Sequence, residues 1–385
     1  MANVQLRKFR PGPEAYELFL RSQTHLKISV RAQAGVQPAE ERHAAAAFFR
    51  QAIELEPRYA DAYGTLAQVL CDSNSKAYES DQVVRESEEN AQTALRYDAR
   101  NLAARVALIC VAHVRGRQND ALRIALEVQR IGQSSAGASF AAGEAFFRAG
   151  LVQHALPFLK DAVGKSPDLI AYRQELAYAL MLAGRPAECV EVLSPLLKKE
   201  QGGYWHATNC LKEVGRYQEA IAYGEKYVSL QPEAPTAYRA LALAYRMAGR
   251  EAEAKAVLTK AVRYFEGVAE TGGNLRNASF LAVMNAHLRN AEAARRWAQA
   301  ALQPDPNNSW MLYNVAVAHG ILGDDDVAMD CLERAFANGF ALKYYLDWQV
   351  RPDMDVPTLR NTERFQELGK KLQRRLSNIE ASLRH

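Results

Sequence analysis

The chain has 385 residues, of which 49% are hydrophobic and 24% are charged, a composition typical of a protein that buries a core and is soluble in water. Its formal net charge of +4 is local, because residues 360–385 carry seven Lys or Arg against three Glu. The rest of the chain is neutral, which argues against a protein that binds nucleic acid through overall positive charge.

Residues 1–12 are predicted to be a short extension before the first helix. Arg7, Lys8 and Arg10 are followed by no apolar segment, so no signal peptide is expected, and no run of about 18 apolar residues predicts a membrane span. The five cysteines are scattered and never form a C-x-x-C pair, which suits reduced thiols acting as small buried hydrophobes. Together these features predict a cytoplasmic protein with no membrane partner.

Several markers then recur through the chain with a period near 34 residues. Glycines in similar surroundings stand at Gly116, Gly150, Gly184, Gly215 and Gly249. A small residue lies five positions after each of them, and the series continues beyond them: Ala121, Ala155, Cys189, Ala220, Ala254, Ala294 and Ala328. Since markers in phase over more than 200 residues do not arise by chance, the chain is predicted to be built from repeats.

Each repeat has a simple physical interpretation. Apolar residues at helical spacing, such as Leu241, Ala242 and Tyr245, predict a first helix with one buried face. The glycine then permits the positive φ that ends this helix and turns the chain. Small residues in the second helix allow close approach of a neighbour, and a proline closes many of the repeats. A single helix pair leaves much of its apolar face wet, so the pairs must stack.

The period, the glycine, the small residues and the closing proline resemble the tetratricopeptide repeat. The resemblance implies an all-α, right-handed α-solenoid of about nine helix-turn-helix units over residues 13–341. Beyond it, residues 342–385 are predicted to form an irregular segment and a C-terminal capping helix. The apolar set of that helix keeps helical spacing and is expected to cover the last repeat: Phe365, Leu368, Leu372, Leu376 and Ile379.

One short motif could be mistaken for chemistry. Gly164-Lys165-Ser166 has the residue order that ends a phosphate-binding loop. Such a loop needs another glycine five residues earlier, where this chain has Leu159, and it must lead from a strand into a helix. We therefore place this motif at the C-terminal end of a second helix and predict no nucleotide site.

The two ends of the chain resemble one particular group of tetratricopeptide arrays. The stretches "PEAYELFLRSQTHLK" (13–27) and "RPDMDVPTLRNTERFQEL" (351–368) are similar to the segments that open and close the arrays of many multidomain bacterial signalling proteins. In those proteins a Ser/Thr kinase, a nucleotide cyclase or a winged-helix regulator precedes the array. This resemblance implies a role in bacterial signal transduction, as the sensor or docking half of a larger protein or as a free-standing relative.

No motif predicts catalysis, a cofactor or a metal. The eight histidines form no H-E-x-x-H and none pairs with a cysteine at zinc spacing. There is no G-x-S-x-G, and the acidic cluster at Asp324 lacks the glycine and the distal glutamate of a calcium loop. We therefore expect a protein that is not an enzyme.

The remaining candidate site is the concave groove that the first helices line in arrays of this kind. Residues three or four apart project from one face of a helix, which selects the lining side chains. The predicted groove residues are aromatic, amide and cationic: Phe147, Arg148, Tyr178, Trp205, Asn209, Lys212, Arg239, Arg246 and Arg276. Each of them either lines the groove or packs between neighbouring helices, and the sequence leaves that choice open.

Aromatic rings beside guanidinium groups are typical of protein-binding hot spots. The sequence thus predicts a scaffold that binds a protein or a peptide with acidic and apolar residues, without a small-molecule cofactor. A nucleic-acid-binding helical solenoid is the alternative, and it would need cations in register along the groove. A third interpretation is the detached regulatory half of a signalling enzyme.

Overall fold

The computed structural model describes residues 9–30, 38–71, 81–200, 202–270, 277–340 and 359–382. Within these ranges the chain forms nineteen α-helices, one short 3-10 helix and no strand. The helices are α1 Pro13–Val30, α2 Pro38–Leu55, α3 Ala60–Leu70, α4 Asp81–Tyr97, α5 Leu102–Val114, α6 Gln118–Ile131, α7 Ala136–Arg148, α8 Val152–Lys165, α9 Ile170–Leu182, α10 Pro186–Lys198, α11 Tyr204–Glu213, α12 Tyr217–Leu230, α13 Pro235–Met247, α14 Glu251–Glu270, α15 Ala278–His287, α16 Ala291–Leu302, α17 Ser309–Leu322, α18 Asp325–Ala337 and α19 Glu363–Ser382, with the 3-10 helix at Leu359–Asn361.

The first eighteen helices form nine successive pairs, and the predicted all-α solenoid is confirmed. The chain divides into two compact units, an N-terminal unit (Met1–Ala145) and a C-terminal unit (Phe146–His385). Within each unit a helix packs against the next in sequence, and first helices of consecutive pairs also pack together, as α3 does with α5 and α15 with α17. Gly164 and Lys165 end the second helix α8, as predicted.

In the third to ninth pairs the same type of turn joins the two helices, and it explains the repeated glycine. Gly116 has a φ of +69°, and the other four glycines of the series have φ values from +72° to +81°. The amide of Gly116 donates to His113 O, and the next amide, of Arg117, donates to Ala112 O. This is the Schellman arrangement, which satisfies carbonyls at the end of a helix and needs a residue with positive φ. At the eighth pair Arg289 takes the place of glycine, with a φ of +62°.

The small residues of the series lie where one helix of a pair packs closely on its neighbours. All seven of them have at most 1% of their surface exposed. Larger side chains fill the space between the small ones, and Leu180, Leu193 and Leu211 are also at most 1% exposed. Burying each such leucine contributes about 1.5–3 kcal/mol relative to leaving it in water. The stacking of pairs, which covers these faces, therefore stabilises each unit.

The prediction that all five cysteines are reduced thiols is wrong for four of them. Cys71 and Cys110 form a disulfide in the N-terminal unit, and Cys189 and Cys210 form another in the C-terminal unit, with Cα–Cα distances of 6.0 and 6.2 Å. Residues 39 and 21 positions apart come together because stacking lays consecutive helices side by side. Cys331 is free and buried, and burial raises the pKa of its thiol.

The N-terminal unit contains a helix glycine, Gly64, whose replacement by alanine should destabilise the protein. A Gly→Ala change inside a helix usually stabilises a protein. Asn101 caps α5 by accepting from the amide of Ala104, and its amide group donates to Asp61. Gly64 in α3 lies so close that a Cβ there would be 2.2 Å from Asn101 Oδ1 and 3.1 Å from Ala104 N. The absence of a side chain at Gly64 therefore lets α3 approach the capped end of α5.

Gly64→Ala is expected to lower the free energy of unfolding by about 1–3 kcal/mol, because overpacking and the displaced cap outweigh the gain in helix propensity. The matched control is Gly164→Ala in α8, where a Cβ would meet nothing within 4 Å. That change is expected to stabilise by about 0.5–1 kcal/mol. Urea unfolding of both variants checks the pair, and two changes of the same sign would contradict this account.

Candidate functional site

The predicted groove residues lie on four successive first helices. Phe147 and Arg148 end α7, Tyr178 is in α9, and Arg239 and Arg246 are in α13. The remaining three described residues, Trp205, Asn209 and Lys212, are in α11. Arg276 lies outside the described residues. The described groove residues precede the turn glycine of their pair by 2, 3, 6 or 10 residues. Because positions with this spacing project from one side of a helix, these residues belong to one face of the C-terminal unit.

Three of these side chains form a continuous aromatic row. The ring centroids of Phe147 and Tyr178 are 5.3 Å apart at an interplanar angle of 88°. Those of Tyr178 and Trp205 are 5.6 Å apart at 84°. Both contacts are edge-to-face, the geometry that the ring quadrupoles favour, and each contributes about 0.5–1.5 kcal/mol beyond area burial. The row runs diagonally, because each ring stands about one helical turn earlier in its helix than the ring before it.

The aromatic row passes from the interior to the surface. Phe147 is fully buried and Tyr178 is 7% exposed, whereas Trp205 is half-buried. His206 adds a further ring at 4.8 Å from Trp205. The inner end of the row therefore acts as core, and Trp205 is the ring that a partner could reach.

Two polar residues predicted for the groove are enclosed by the fold. Lys212 has a fully buried side chain, and its ammonium nitrogen Nζ lies 2.9 Å from Glu213 Oε1. The amide of Asn209 donates to the carbonyl of Trp205 at 2.8 Å. Burying an ammonium costs several kcal/mol unless it is paired and hydrogen-bonded, so the Lys212–Glu213 contact is a structural requirement of this helix. Neither side chain is presented to solvent as the sequence pattern suggested.

The predicted groove arginines differ in whether they form ion pairs or hydrogen bonds within the protein. Arg246 donates to Glu251 Oε2 at 3.2 Å, and its other guanidinium nitrogen Nη1 lies 3.0 Å from His287 Nδ1. Arg148 and Arg239 are both half-buried. Within the described part of the chain Arg239 makes no hydrogen bond or ion pair. It holds the same position in α13 that Trp205 holds in α11, ten residues before the turn glycine. Trp205 and Arg239 are thus an aromatic ring and an uncompensated cation at equivalent places on adjacent first helices.

Sequence reasoning missed the corresponding groove positions of α15 and α17, the first helices of the last two pairs. We call the residues 10, 6 and 3 positions before the turn residue the inner-face positions. In α15 and α17 they are buried: Ser279, Val283, Ala286, Tyr313, Val317 and Gly320. The signal was present, because neither α15 nor α17 contains a charged residue, and a helix that is apolar all round is buried all round.

Within the described ranges, no group of three or more His, Cys, Asp or Glu side chains could hold a metal ion. No helix in the same ranges is long and apolar enough to cross a membrane.

Comparison with known proteins agrees with the repeat architecture. The tetratricopeptide repeat family matches residues 119–170 and 211–269, which include parts of α6 to α9 and of α11 to α14. None of the curated proteins matches this chain in sequence. The two segments that match the tetratricopeptide repeat model therefore lie in the middle part of the α-solenoid.

Similar solved structures include three proteins of low sequence identity. Pseudomonas aeruginosa PilF is 16% identical, with a TM-score of 0.41, over 58% of this chain and 97% of that one. A chain of the APC/C hetero-tetramer Cut9–Hcn1 is 13% identical, with a TM-score of 0.41, over 87% of this chain and 76% of that one. Yeast Tom70 is 12% identical, with a TM-score of 0.44, over 97% of this chain and 70% of that one.

Proposed function

We propose that this chain is a non-catalytic scaffold that binds a protein or peptide partner on the first-helix face of its C-terminal unit. The observation that carries the proposal is the aromatic row that reaches the surface at Trp205 beside the uncompensated cation Arg239. Tetratricopeptide repeats of the kind matched here serve protein–protein interaction, which makes a partner protein the natural ligand.

The chemistry of these two residues also suggests the partner. An aromatic plate beside a guanidinium favours an apolar side chain flanked by a carboxylate, because Arg forms bidentate bonds to carboxylates and the ring contributes buried area. A segment with acidic and apolar residues, bound between the fourth and eighth helix pairs, is therefore the proposed ligand. A nucleic acid would instead need several unpaired cations in register, and Arg246 already contacts Glu251.

The cellular setting is proposed on the resemblance of the two chain ends alone, as a docking component in bacterial signal transduction. A cytoplasmic location stays a prediction, and the cysteines no longer support it. Disulfides persist mainly in oxidising compartments, and four of the five cysteines are paired.

The double variant Trp205→Ala/Arg239→Ala tests the site. Hot-spot side chains of these types contribute at least about 2 kcal/mol each, so loss of both should weaken a partner's affinity by more than about 100-fold. The measurement is affinity capture from lysate with the wild-type and variant chains, followed by titration of the captured partner. Because both side chains are half-buried, we expect the melting temperature to fall by only a few degrees.

The matched control is Arg263→Ala/Tyr264→Ala, which removes an arginine and an aromatic residue from exposed positions of the second helix α14. It should leave capture unchanged. Equal capture by wild type and the Trp205/Arg239 variant would overturn the proposed site, and so would equal loss in both double variants. A steep fall of affinity with rising salt would favour the nucleic-acid alternative.

A further inference from the structure

The last helix, α19, has an apolar face that is completely covered. Phe365, Leu368, Leu372, Leu376 and Ile379 follow a spacing of three or four residues and are 3–7% exposed. The opposite face carries Lys370, Lys371 and Arg374, which are exposed. Burying five large apolar side chains requires a complementary apolar surface along most of the length of the helix.

Two contacts at its ends show where α19 runs in the C-terminal unit. At the beginning, Arg364 pairs with Asp330 and Glu333 of α18, at 2.7 and 3.0 Å. Near the other end, Glu380 lies 3.6 Å from His154 Nε2, at the start of α8. These exposed contacts contribute little energy, but they mark where the two ends of α19 lie. Glu380 follows Arg364 by sixteen positions, about 24 Å of helix, so α19 bridges α18 and α8.

Burial indicates which face of those pairs α19 covers. No residue of the first helices α11, α13, α15 or α17 is exposed. The second helices α12, α14, α16 and α18 each keep exposed residues. In α15 the inner-face positions Ser279, Val283 and Ala286 are 0% exposed. Of the equivalent positions of α5, in the N-terminal unit, Val106 and Cys110 are half-buried and His113 is 8% exposed.

We propose that α19 is a resident ligand, an intramolecular amphipathic helix that occupies the first-helix face of the C-terminal unit. The inner-face positions of α15 and α17 and the buried stripe of α19 are both largely apolar, and the two end contacts, with the second helices α18 and α8, hold α19 within this unit. An external partner then competes with α19, and the partner that fits best is another amphipathic helix with apolar residues three and four positions apart. This proposal rests on the proposed function only in assigning the same face to a partner.

The test uses the full-length chain with Leu372→Asp/Leu376→Asp, which places two carboxylates in the covered apolar face and should release α19. The probe is a fluorescently labelled peptide with the sequence of residues 359–382. A tethered helix competes at an effective concentration of about a millimolar, so the wild-type chain should exclude micromolar peptide. We expect the variant to bind the peptide at least 10-fold more tightly than wild type does, measured by fluorescence anisotropy.

The matched control is Gln373→Asp/Ser377→Asp, which adds the same charges to exposed positions of the same helix. It should exclude the peptide as wild type does. A peptide that carries the two Leu→Asp changes should bind none of the chains. A folded Leu372/Leu376 variant that binds the peptide no better than wild type would overturn the proposal, and so would equal binding of the altered peptide.

A milder variant covers the case in which two aspartates unfold the unit. In Leu372→Ala/Leu376→Ala we expect faster amide hydrogen exchange in α15 and α17, and unchanged exchange in α3 and α5 of the N-terminal unit. Unchanged exchange in α15 and α17 would contradict the resident-ligand assignment. These outcomes are independent of the capture experiment: peptide binding in trans without any partner dependent on Trp205 would leave α19 as the ligand and remove only the proposed function.

Discussion

Breaking either disulfide is expected to lower the free energy of unfolding of its unit by about 3–4 kcal/mol. The bonds close segments with sequence separations of 39 and 21 residues, and the cost comes from the larger conformational freedom of the unfolded chain once the link is lost. The total stability of a domain is about 5–15 kcal/mol, so this loss is a large share of it. The effect should appear on adding a reductant to the wild-type chain.

Alanine variants separate the bond from the packing. Cys189 holds the slot that alanine occupies at positions 155 and 220, so Cys189→Ala/Cys210→Ala removes the bond with little change in the core. The C-terminal unit of this variant should unfold at the same lower urea concentration as the C-terminal unit of reduced wild type. A reductant should not shift the unfolding of this unit any further. Cys331→Ala is the control, because its buried thiol is unpaired. Equal stability of oxidised and reduced wild type would contradict both bonds.

Phe147→Ala is expected to lower the free energy of unfolding by about 3–5 kcal/mol, a loss similar to that from breaking a disulfide. The ring is fully buried and contacts Tyr178 edge-to-face, so the change leaves a cavity and removes the first contact of the aromatic row. The Trp205→Ala change should cost less, because that ring is half-buried. Urea unfolding of each variant gives the comparison.

Tyr264→Ala is the matched control for this prediction, since its side chain is 42% exposed on the second helix α14. Exposed substitutions usually change stability by less than about 0.5 kcal/mol. If Phe147→Ala were as mild as Tyr264→Ala, the inner end of the aromatic row would not be core, and the division of the row into a buried and an accessible end would be wrong.

The repeat architecture could be predicted from the sequence because its markers are steric requirements. Only glycine adopts the positive φ of the turn at little cost, and the glycines at positions 116 and 150 do so. Only small residues fit the close helix contacts, and Ala155, Ala220 and Ala254 are completely buried. Each requirement is local to one pair and recurs from pair to pair along the chain, so its period is visible in a single sequence.

Pairing between distant residues was harder to predict. Cys71 and Cys110 stand 39 residues apart, close to one repeat, and this separation in a stacked array places them side by side. A cysteine count without the repeat geometry does not show that. The same holds for Phe147, Tyr178 and Trp205, which the sequence assigned to one face while leaving open which of them are core.

Residue type did not show that two of the polar positions are buried. Lysine and asparagine are usually exposed, and for Lys212 and Asn209 the sequence left open whether they line the groove or pack between helices. The structure buries both, because the helix around them is covered on every side. The absence of charge in α15 and α17 was the available sign that something covers this face, and the apolar stripe of α19 was the available sign of what does.

The position of α19 in the C-terminal unit is measured directly by a cross-link. Cysteines introduced at His154 and Glu380, whose side chains are 43% and 42% exposed, should be bridged by a short bis-maleimide in the Cys331→Ala background, within one molecule and in high yield. A control pair of cysteines at positions 263 and 380, on the exposed side of α14 and on α19, should each react with the maleimide without being bridged. Separate modification of residues 154 and 380, with no more bridging than in the control pair, would contradict an α19 that runs from α18 to α8 in the C-terminal unit.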